Sequence, residues 1–229
     1  RLRKQYEVER FEEPAWPKPK DDKLSMALHY EFDSAVGKQV PNTVGGGHDG
    51  QLAGKATVVQ SPQPALQLEG QGAVTTNTTA ALDPSMRAFT VGAWCSPQAS
   101  DGVVIAQGGE SQGYSLYLDE GRPTFAIRSG GDLHTVQATD PLPTGEWTHV
   151  GGTVDTKGLL SLAINGQPQP KTKRGQLISS QPADGLSVGA DTGSFVGNYK
   201  TPNYFHGSLR DVRVYWGLMT DEELANWVK

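Results

Sequence analysis

The sequence predicts an all-β fold in which two antiparallel sheets form a jelly-roll sandwich, closed by a short C-terminal helix. The chain has 28 glycines and 15 prolines among 229 residues, a composition that favours many turns over long helices. Segments of alternating apolar and polar residues recur at a spacing of roughly 10–12 residues, which is typical of sandwiches and jelly rolls. Beyond residue 23, only the C-terminus carries a helical pattern.

Size and charge set limits on function. A chain of 24.5 kDa buries about 70% of its surface on folding, so one core is enough to stabilise it. The formal net charge of −5 disfavours tight binding to nucleic-acid phosphates. The sequence contains no apolar run long enough to predict a membrane span. Cys95 is the single cysteine, which excludes an internal disulfide.

The first 23 residues differ from the rest of the chain. They carry seven Lys or Arg and six Asp or Glu, so 13 of 23 are charged, and residues 14–23 have the Pro/Lys composition of an extended linker. We interpret residues 1–23 as a charged arm and Pro-rich linker from a preceding domain. An equally supported interpretation is that residues 1–23 form a simple disordered arm. The predicted jelly-roll domain is residues 24–229.

The strands are predicted by alternation between turn residues. In the first, Leu28, Tyr30 and Phe32 fall on one face, as expected for a half-buried strand. The Asn165-Gly166 pair predicts a two-residue hairpin. The predicted strands are residues 27–33, 65–68, 89–95, 114–118, 123–127, 147–154, 160–164, 186–188 and 209–215.

The C-terminal helix is predicted by its first residues. Thr220 is a good N-cap, and Glu223 follows three positions later, as in a capping box. Leu224 and Trp227 then give the helix an apolar edge.

Eight short motifs resemble, in their order, the laminin-G-like, concanavalin A-like jelly-roll domains common in large bacterial extracellular proteins. The resemblance spans about residues 24–229, and it implies two packed antiparallel sheets of about six or seven strands each. One departure is Arg210, where the family usually has an acid. The motifs are Phe32-Asp33, GGGHDG at 45–50, ALQLEG at 65–70, FTVGAW at 89–94, EWTHV at 146–150, INGQ at 164–167, FHGSLRDVRVY at 205–215 and TDEE at 220–223.

Hydrolytic motifs are incomplete. Glycosidases of this fold place several acids along one strand, but Glu31-Phe32-Asp33 is not followed by a second glutamate. The stretch from Cys95 to Ala99 resembles a sulfatase signature without its arginine. A small core residue is the favoured interpretation of Cys95.

The resemblance also implies a structural calcium ion, because jelly rolls of this kind bind one between the first strand, the early glycine-rich loop and the last strand. Carried over, the ligands are Asp33, Asp49 and Asp211, with backbone carbonyls near Gly47 and His48. Oxygen ligands of this type suit Ca²⁺. The alternative is that Asp33 or Asp211 pairs with a neighbouring arginine, either Arg210 or Arg213.

Sugar binding needs aromatic platforms together with amide and carboxylate groups. Residues 189–204 form a long predicted loop of this composition, and loops commonly carry function. The alternative interpretation of Phe195 and Tyr204 is that they cover the edge of the core, while Trp94 and Trp147 are predicted in the core and Trp216 at the surface. The predicted ligand-binding residues are Arg128, His134, Asp191, Asn198, Tyr199, Asn203 and Tyr204.

These observations predict a non-catalytic carbohydrate-binding or adhesion module of a larger enzyme, located outside the cell or in the periplasm. The partners expected are a polysaccharide or glycoconjugate and an N-terminal enzymatic domain in the same chain. The arm resembles the C-terminal end of bacterial sulfatases, which implies a parent enzyme acting on sulfated polysaccharide. A structural or protein-interaction domain without sugar affinity is the alternative, and a glycoside hydrolase is the third option.

Overall fold

The computed structural model describes residues 18–20 and 23–229, and strands dominate this part of the chain. The strands are β1 (Ser25–Tyr30), β2 (Gln39–Val40), β3 (Gly50–Gly54), β4 (Thr57–Val59), β5 (Ala65–Glu69), β6 (Gly72–Thr76), β7 (Phe89–Pro97), β8 (Gly102–Gly108), β9 (Gln112–Asp119), β10 (Arg122–Ser129), β11 (Asp132–Gln137), β12 (Thr148–Val154), β13 (Leu159–Ile164), β14 (Gln167–Arg174), β15 (Leu186–Val188) and β16 (His206–Trp216). A 3-10 turn covers Ala80–Leu82, and helix α1 covers Asp221–Trp227.

The strands form two antiparallel sheets that face each other as a sandwich, as the sequence predicts. The first, which we call the helix-side sheet, has the order β14-β13-β12-β7-β16-β5-β4. In addition, β1 pairs with residues 212–216 of β16, whereas β5 pairs with residues 206–209 of the same strand. The second, which we call the loop-side sheet, has the order β11-β10-β9-β8-β15-β6-β3-β2. Each sheet has eight strands, more than the six or seven that the family resemblance implies, because short strands such as β2 and β4 extend the edges.

The core lies between the inner faces of the two sheets. Phe89 of the helix-side sheet is its aromatic centre, with ring centroids 5.0 Å from Tyr114, 6.1 Å from Phe125 and 6.4 Å from Trp216. These tilted and edge-on contacts add to the burial of apolar area, which supplies most of the folding free energy. Trp216 is buried, so its predicted surface position is wrong.

Helix α1 packs on the outer face of the helix-side sheet through Leu224 and Trp227. Its N-terminus has the predicted capping box: the Thr220 hydroxyl accepts from the Glu223 amide at 3.2 Å, and the Glu223 carboxylate accepts from the Thr220 amide at 2.7 Å. A side chain at Gly92 would place its Cβ 3.0 Å from the Trp227 ring. The glycine therefore lets the helix approach the sheet.

The predicted Asn165-Gly166 hairpin is confirmed between β13 and β14. Both residues have positive φ, 49° and 71°, as a two-residue turn of the I′ type requires. The first strand ends earlier than predicted, at Tyr30, since Phe32 adopts a φ of 65° that no strand allows.

Most of the predicted arm lies outside the described residues, which include only Lys18–Lys20 and Lys23 of it. The Lys20 amide donates to the Met86 carbonyl at 2.6 Å, and its ammonium lies 3.3 Å from Asp83. This part of the predicted linker therefore contacts the sandwich. Within the described part of the chain, no helix has the length and apolar character needed to cross a membrane.

Candidate functional site

The loop predicted to bind ligand lies across the outer face of the loop-side sheet. Small residues line this face where β8, β9 and β10 run side by side, because Ala106 is paired with Ser115 and Ser115 with Ala126. The ring of Tyr199 fills the space that they leave, and its hydroxyl lies 2.8 Å from Ser115 Oγ. The small residues of the sheet thus leave room for the Tyr199 side chain, through which the loop packs on the sheet.

Tyr199 anchors the loop from within. Its hydroxyl donates to Asp191 Oδ2 at 2.7 Å, and its ring meets Tyr117 edge-on at 4.8 Å. Asp191 is 2% exposed and also accepts from the Val196 amide at 3.1 Å. Burial raises the pKa of Asp191, and these hydrogen bonds offset that rise only in part. Both residues are therefore committed to holding the loop in one conformation.

Arg128 holds the middle of the loop. Its Nε donates to the Val196 carbonyl at 2.7 Å, and its Nη1 donates to the Gly131 carbonyl at 3.0 Å. The guanidinium carbon stands 5.1 Å from the ring centroid of Phe195. A guanidinium used in this way fixes the loop against the β10–β11 turn.

The remaining predicted ligand-binding residues lie in different places. Asn198 is exposed, and Tyr204 is 39% exposed. Asn203 has a φ of 41°, and its carbonyl accepts from the Val103 amide at 3.0 Å. His134 pairs with Ile127, whose side chain lies in the core, so it faces the inner side of the sheet and lies apart from Arg128.

A polar pocket opens at the end of the loop, and we call it the loop-end pocket. It is shallow, with a volume of about 390 Å³. Asp184 orders its wall, because Oδ2 accepts from the amide and the hydroxyl of Ser194 at 3.1 and 3.0 Å. The sequence pattern did not predict it, since its groups come from three turns distant in the chain. The lining residues are Gly109, Glu110, Ser111, Gln112, Gln181, Ala183, Asp184 and Ser194.

The proposed calcium ligands do not meet at one point. Asp49 accepts from the Asn42 amide at 2.8 Å and from Gln39 Nε2 at 2.7 Å. The His48 carbonyl, one of those expected to join them, accepts from the Tyr30 hydroxyl at 2.8 Å. Asp33 is exposed.

Asp211 is occupied by donors from this chain. Its Oδ1 accepts from His29 Nε2 at 2.7 Å and from Arg213 Nε at 2.6 Å, and its Oδ2 accepts from Trp227 Nε1 at 3.0 Å. Burial alone would raise the pKa of Asp211, but the hydrogen bonds and the Arg213 charge outweigh it and lower the pKa. The described residues hold no group of three His, Cys, Asp or Glu placed to bind a metal, so calcium binding stays a prediction that this geometry does not fit.

A second cluster lies on the outer face of the helix-side sheet. We call Trp94, Arg210 and Trp147 the indole–arginine stack, because the guanidinium carbon lies 5.1 and 4.8 Å from the two ring centroids. Both tryptophans are half-buried, so their predicted core positions are wrong. His149 continues the row, with its ring 5.7 Å from Trp94 and 4.6 Å from Trp227.

Cys95 lies in the core and is fully buried. Burial raises the pKa of its thiol to about 12, so the thiol stays protonated at neutral pH. A protonated, enclosed thiol is a poor nucleophile.

The comparisons with known proteins agree with this architecture. The sequence model of the concanavalin A-like lectin/glucanases superfamily matches residues 68–225. Among solved structures, domain 4 of AbnA, a GH43 extracellular arabinanase from Geobacillus stearothermophilus in complex with arabinotriose, superposes with a TM-score of 0.70 at 16% identity. The match covers 91% of this chain and 100% of that domain. A comparison with curated protein sequences gives no match.

Toxin binding domains share the fold over about half of their length. The binding domain of Paraclostridial Mosquitocidal Protein 1 superposes with a TM-score of 0.67 at 13% identity, covering 89% of this chain and 51% of that one. A botulinum neurotoxin type C structure, whose cell entry depends on two ganglioside molecules, gives 0.67 at 13% identity, covering 89% and 50%. At such identities the likeness shows the fold alone.

Proposed function

The chain belongs to the concanavalin A-like lectin/glucanases superfamily, and from this premise we propose that it is a non-catalytic carbohydrate-binding module. The observation that carries the proposal is the loop-end pocket beside a firmly anchored loop. Amide, hydroxyl and carboxylate groups line it, and these are the groups that hydrogen-bond sugar hydroxyls. The loop also holds an exposed aromatic ring, that of Tyr204.

Two structural relatives support this choice of ligand. The arabinanase domain was solved with arabinotriose, and the type C neurotoxin interacts with gangliosides. Both ligands contain sugars, although the proteins share little sequence with this chain. A preformed loop favours binding because little conformational entropy is lost on association.

The test is a glycan array followed by calorimetry on any neutral oligosaccharide that binds, with arabinotriose as the first probe. Gln181→Ala removes one pocket amide, and we expect it to weaken binding about fivefold or more, as one lost hydrogen bond implies. Gln167→Ala serves as the matched control, because Gln167 is exposed on β14 of the other sheet. If the folded protein binds no glycan on the array, a structural or protein-interaction domain is favoured instead.

We further propose that the module is part of a larger secreted or periplasmic enzyme, with the enzymatic domain preceding it in the same chain. A sulfatase acting on sulfated polysaccharide is the parent that the arm resembles. The test is the coding sequence upstream of residue 1. A Cys/Ser-x-Pro-x-Arg stretch there supports a sulfatase, and a different catalytic domain contradicts it.

A further inference from the structure

The indole–arginine stack is fixed by the register of three neighbouring strands. Arg210 of β16 pairs with Trp94 of β7, and Trp94 pairs with His149 of β12. Their side chains consequently project side by side from the outer face of the sheet. Trp147, directly before β12, supplies the second ring that the guanidinium contacts.

A bulge places Arg210 in this position. The pairing of β16 with β7 shifts register between Arg210 and Arg213, and Asp211 within the bulge has a φ of 52°. A left-handed backbone at a residue other than glycine costs free energy, and such residues cluster at sites where they serve binding or catalysis. A bulge also re-aims the side chains next to it.

The Arg210 guanidinium has unused hydrogen-bonding capacity. Its Nε is buried and has no partner. Among the described residues, its close side-chain contacts are the two indole rings, and none of its N–H groups is hydrogen-bonded or ion-paired. A planar guanidinium that contacts two rings and keeps its Nη donors unpaired is preorganised for a planar or trigonal oxyanion.

The pocket beside the stack has a positive lining. It has a volume of about 390 Å³, and its lining side chains include the cations of Arg210, Arg213 and Lys229 and the acid of Asp211. That acid is already satisfied by His29, Arg213 and Trp227. The chain as a whole has a net charge of −5. The local excess of positive side chains therefore comes from how the fold places these residues and not from the overall composition.

A second pocket that also contains Arg210 is acidic. Glu31, Asp33 and Asp211 line this shallow pocket together with Arg210. Arg210 and Asp211 line both pockets. Because Glu31 and Asp33 disfavour an anion in the acidic pocket, we expect an anion to approach Arg210 in the pocket that contains Lys229.

We propose that this pocket binds the oxyanion of an acidic sugar, either a uronate carboxylate or a sulfate ester, through the free edge of Arg210. This rests on the proposed function in that the anion is carried by a glycan. The site lies on the opposite sheet from the loop-end pocket, so the two sites contribute separately to binding. Trp94 and Trp147 hold the guanidinium plane and shield it from water, which strengthens its hydrogen bonds.

The experiment measures binding of pectate, dextran sulfate and neutral dextran to the full chain at a fixed, near-physiological salt concentration, by calorimetry and by tryptophan fluorescence. We expect one of the two acidic polymers or both to bind, and Arg210→Gln to weaken that binding at least tenfold. Binding of pectate but not of dextran sulfate identifies a carboxylate site, and binding of dextran sulfate but not of pectate identifies a sulfate site. Arg210→Lys keeps the charge and loses the fork, so it should restore only part of the affinity.

Arg174→Gln is the matched control, because it removes one positive charge from exposed β14 of the same sheet. An equal loss in Arg174→Gln, an unchanged affinity in Arg210→Gln, or no binding of either acidic polymer to the folded chain would overturn the proposal. Circular dichroism verifies that each variant is folded, and Arg210→Lys takes the place of Arg210→Gln if the latter is not. If neutral oligosaccharides still bind with their dependence on Gln181, the proposed function stands without this site.

Discussion

At the scale of single residues, His149 shows how packing sets protonation. It is fully buried between Trp94 and Trp227, and neither ring nitrogen has a hydrogen-bond partner in the described structure. Burial lowers its pKa from 6.5 to about 4. A neutral imidazole is therefore part of the contact between helix α1 and the sheet.

We expect acid to lower the free energy of unfolding through the lowered pKa of His149. The unfolded chain takes up a proton at His149 below pH 6.5, whereas the folded chain does so only near pH 4, so stability falls as pH drops through this window. At pH 5 we expect a loss of about 2 kcal/mol from this group relative to pH 7.5. Urea unfolding at both pH values measures it, and His149→Phe should lack that share of the loss. An identical pH dependence in the variant would show that His149 is not the titrating group.

Asp211 is a structural acceptor in the described geometry. Asp211→Asn places an amide where three donors converge, and we expect a loss of about 2 kcal/mol in the free energy of unfolding. The same loss should be found in calcium and in chelator. Thermal or urea unfolding in both buffers measures this, and a loss that disappears in chelator would instead support the calcium site expected from the family.

At the scale of elements, the loop over the loop-side sheet depends on one hydroxyl. Tyr199→Phe leaves Asp191 buried without its strongest neutral donor, which costs about 1–3 kcal/mol. We expect amide hydrogen exchange in residues 189–204 to become at least fivefold faster while the central strands keep their protection, as expected for local opening. Tyr204→Phe is the control because that ring is exposed. Equal exchange in the two variants would contradict the anchoring role.

The elements that the sequence did not predict share physical causes. Every residue of β8 is buried, because the loop covers its outer face, and the expected alternation is therefore missing. β14 is almost entirely polar and contains two prolines, Pro168 and Pro170, which only an edge strand tolerates. Helix α1 and the Asn165-Gly166 hairpin were predicted because local chemistry alone determines them.

The predicted site residues divide for a similar reason. The composition of residues 189–204 located the loop, but which of its side chains face inward depends on the small residues of strands far away in sequence. Tyr199 and Asp191 therefore turn inward, whereas Asn198 and Tyr204 remain at the surface. Trp94 alternates with the buried Ala93 and Cys95 and so lies on the outer face, but alternation cannot show that α1 leaves that end of the outer face open.

At the scale of the whole molecule, the sandwich presents two different outer faces. The loop-side sheet carries the polar pocket that we propose to bind sugar hydroxyls, and the helix-side sheet carries the arginine, in contact with two indoles, that we propose to bind an anion. A chain with net charge −5 is repelled by acidic polymers at long range. Binding of such polymers would therefore have to come from the local geometry.

Non-catalytic sugar binding at the loop-end pocket is tested by an NMR titration of the isotope-labelled chain with a bound neutral oligosaccharide, in which the sugar is also monitored for cleavage. We expect amide shifts confined to residues 109–112, 181–184 and 194–204, with the sugar recovered intact. Shifts spread evenly over the surface, or released cleavage products, would contradict it.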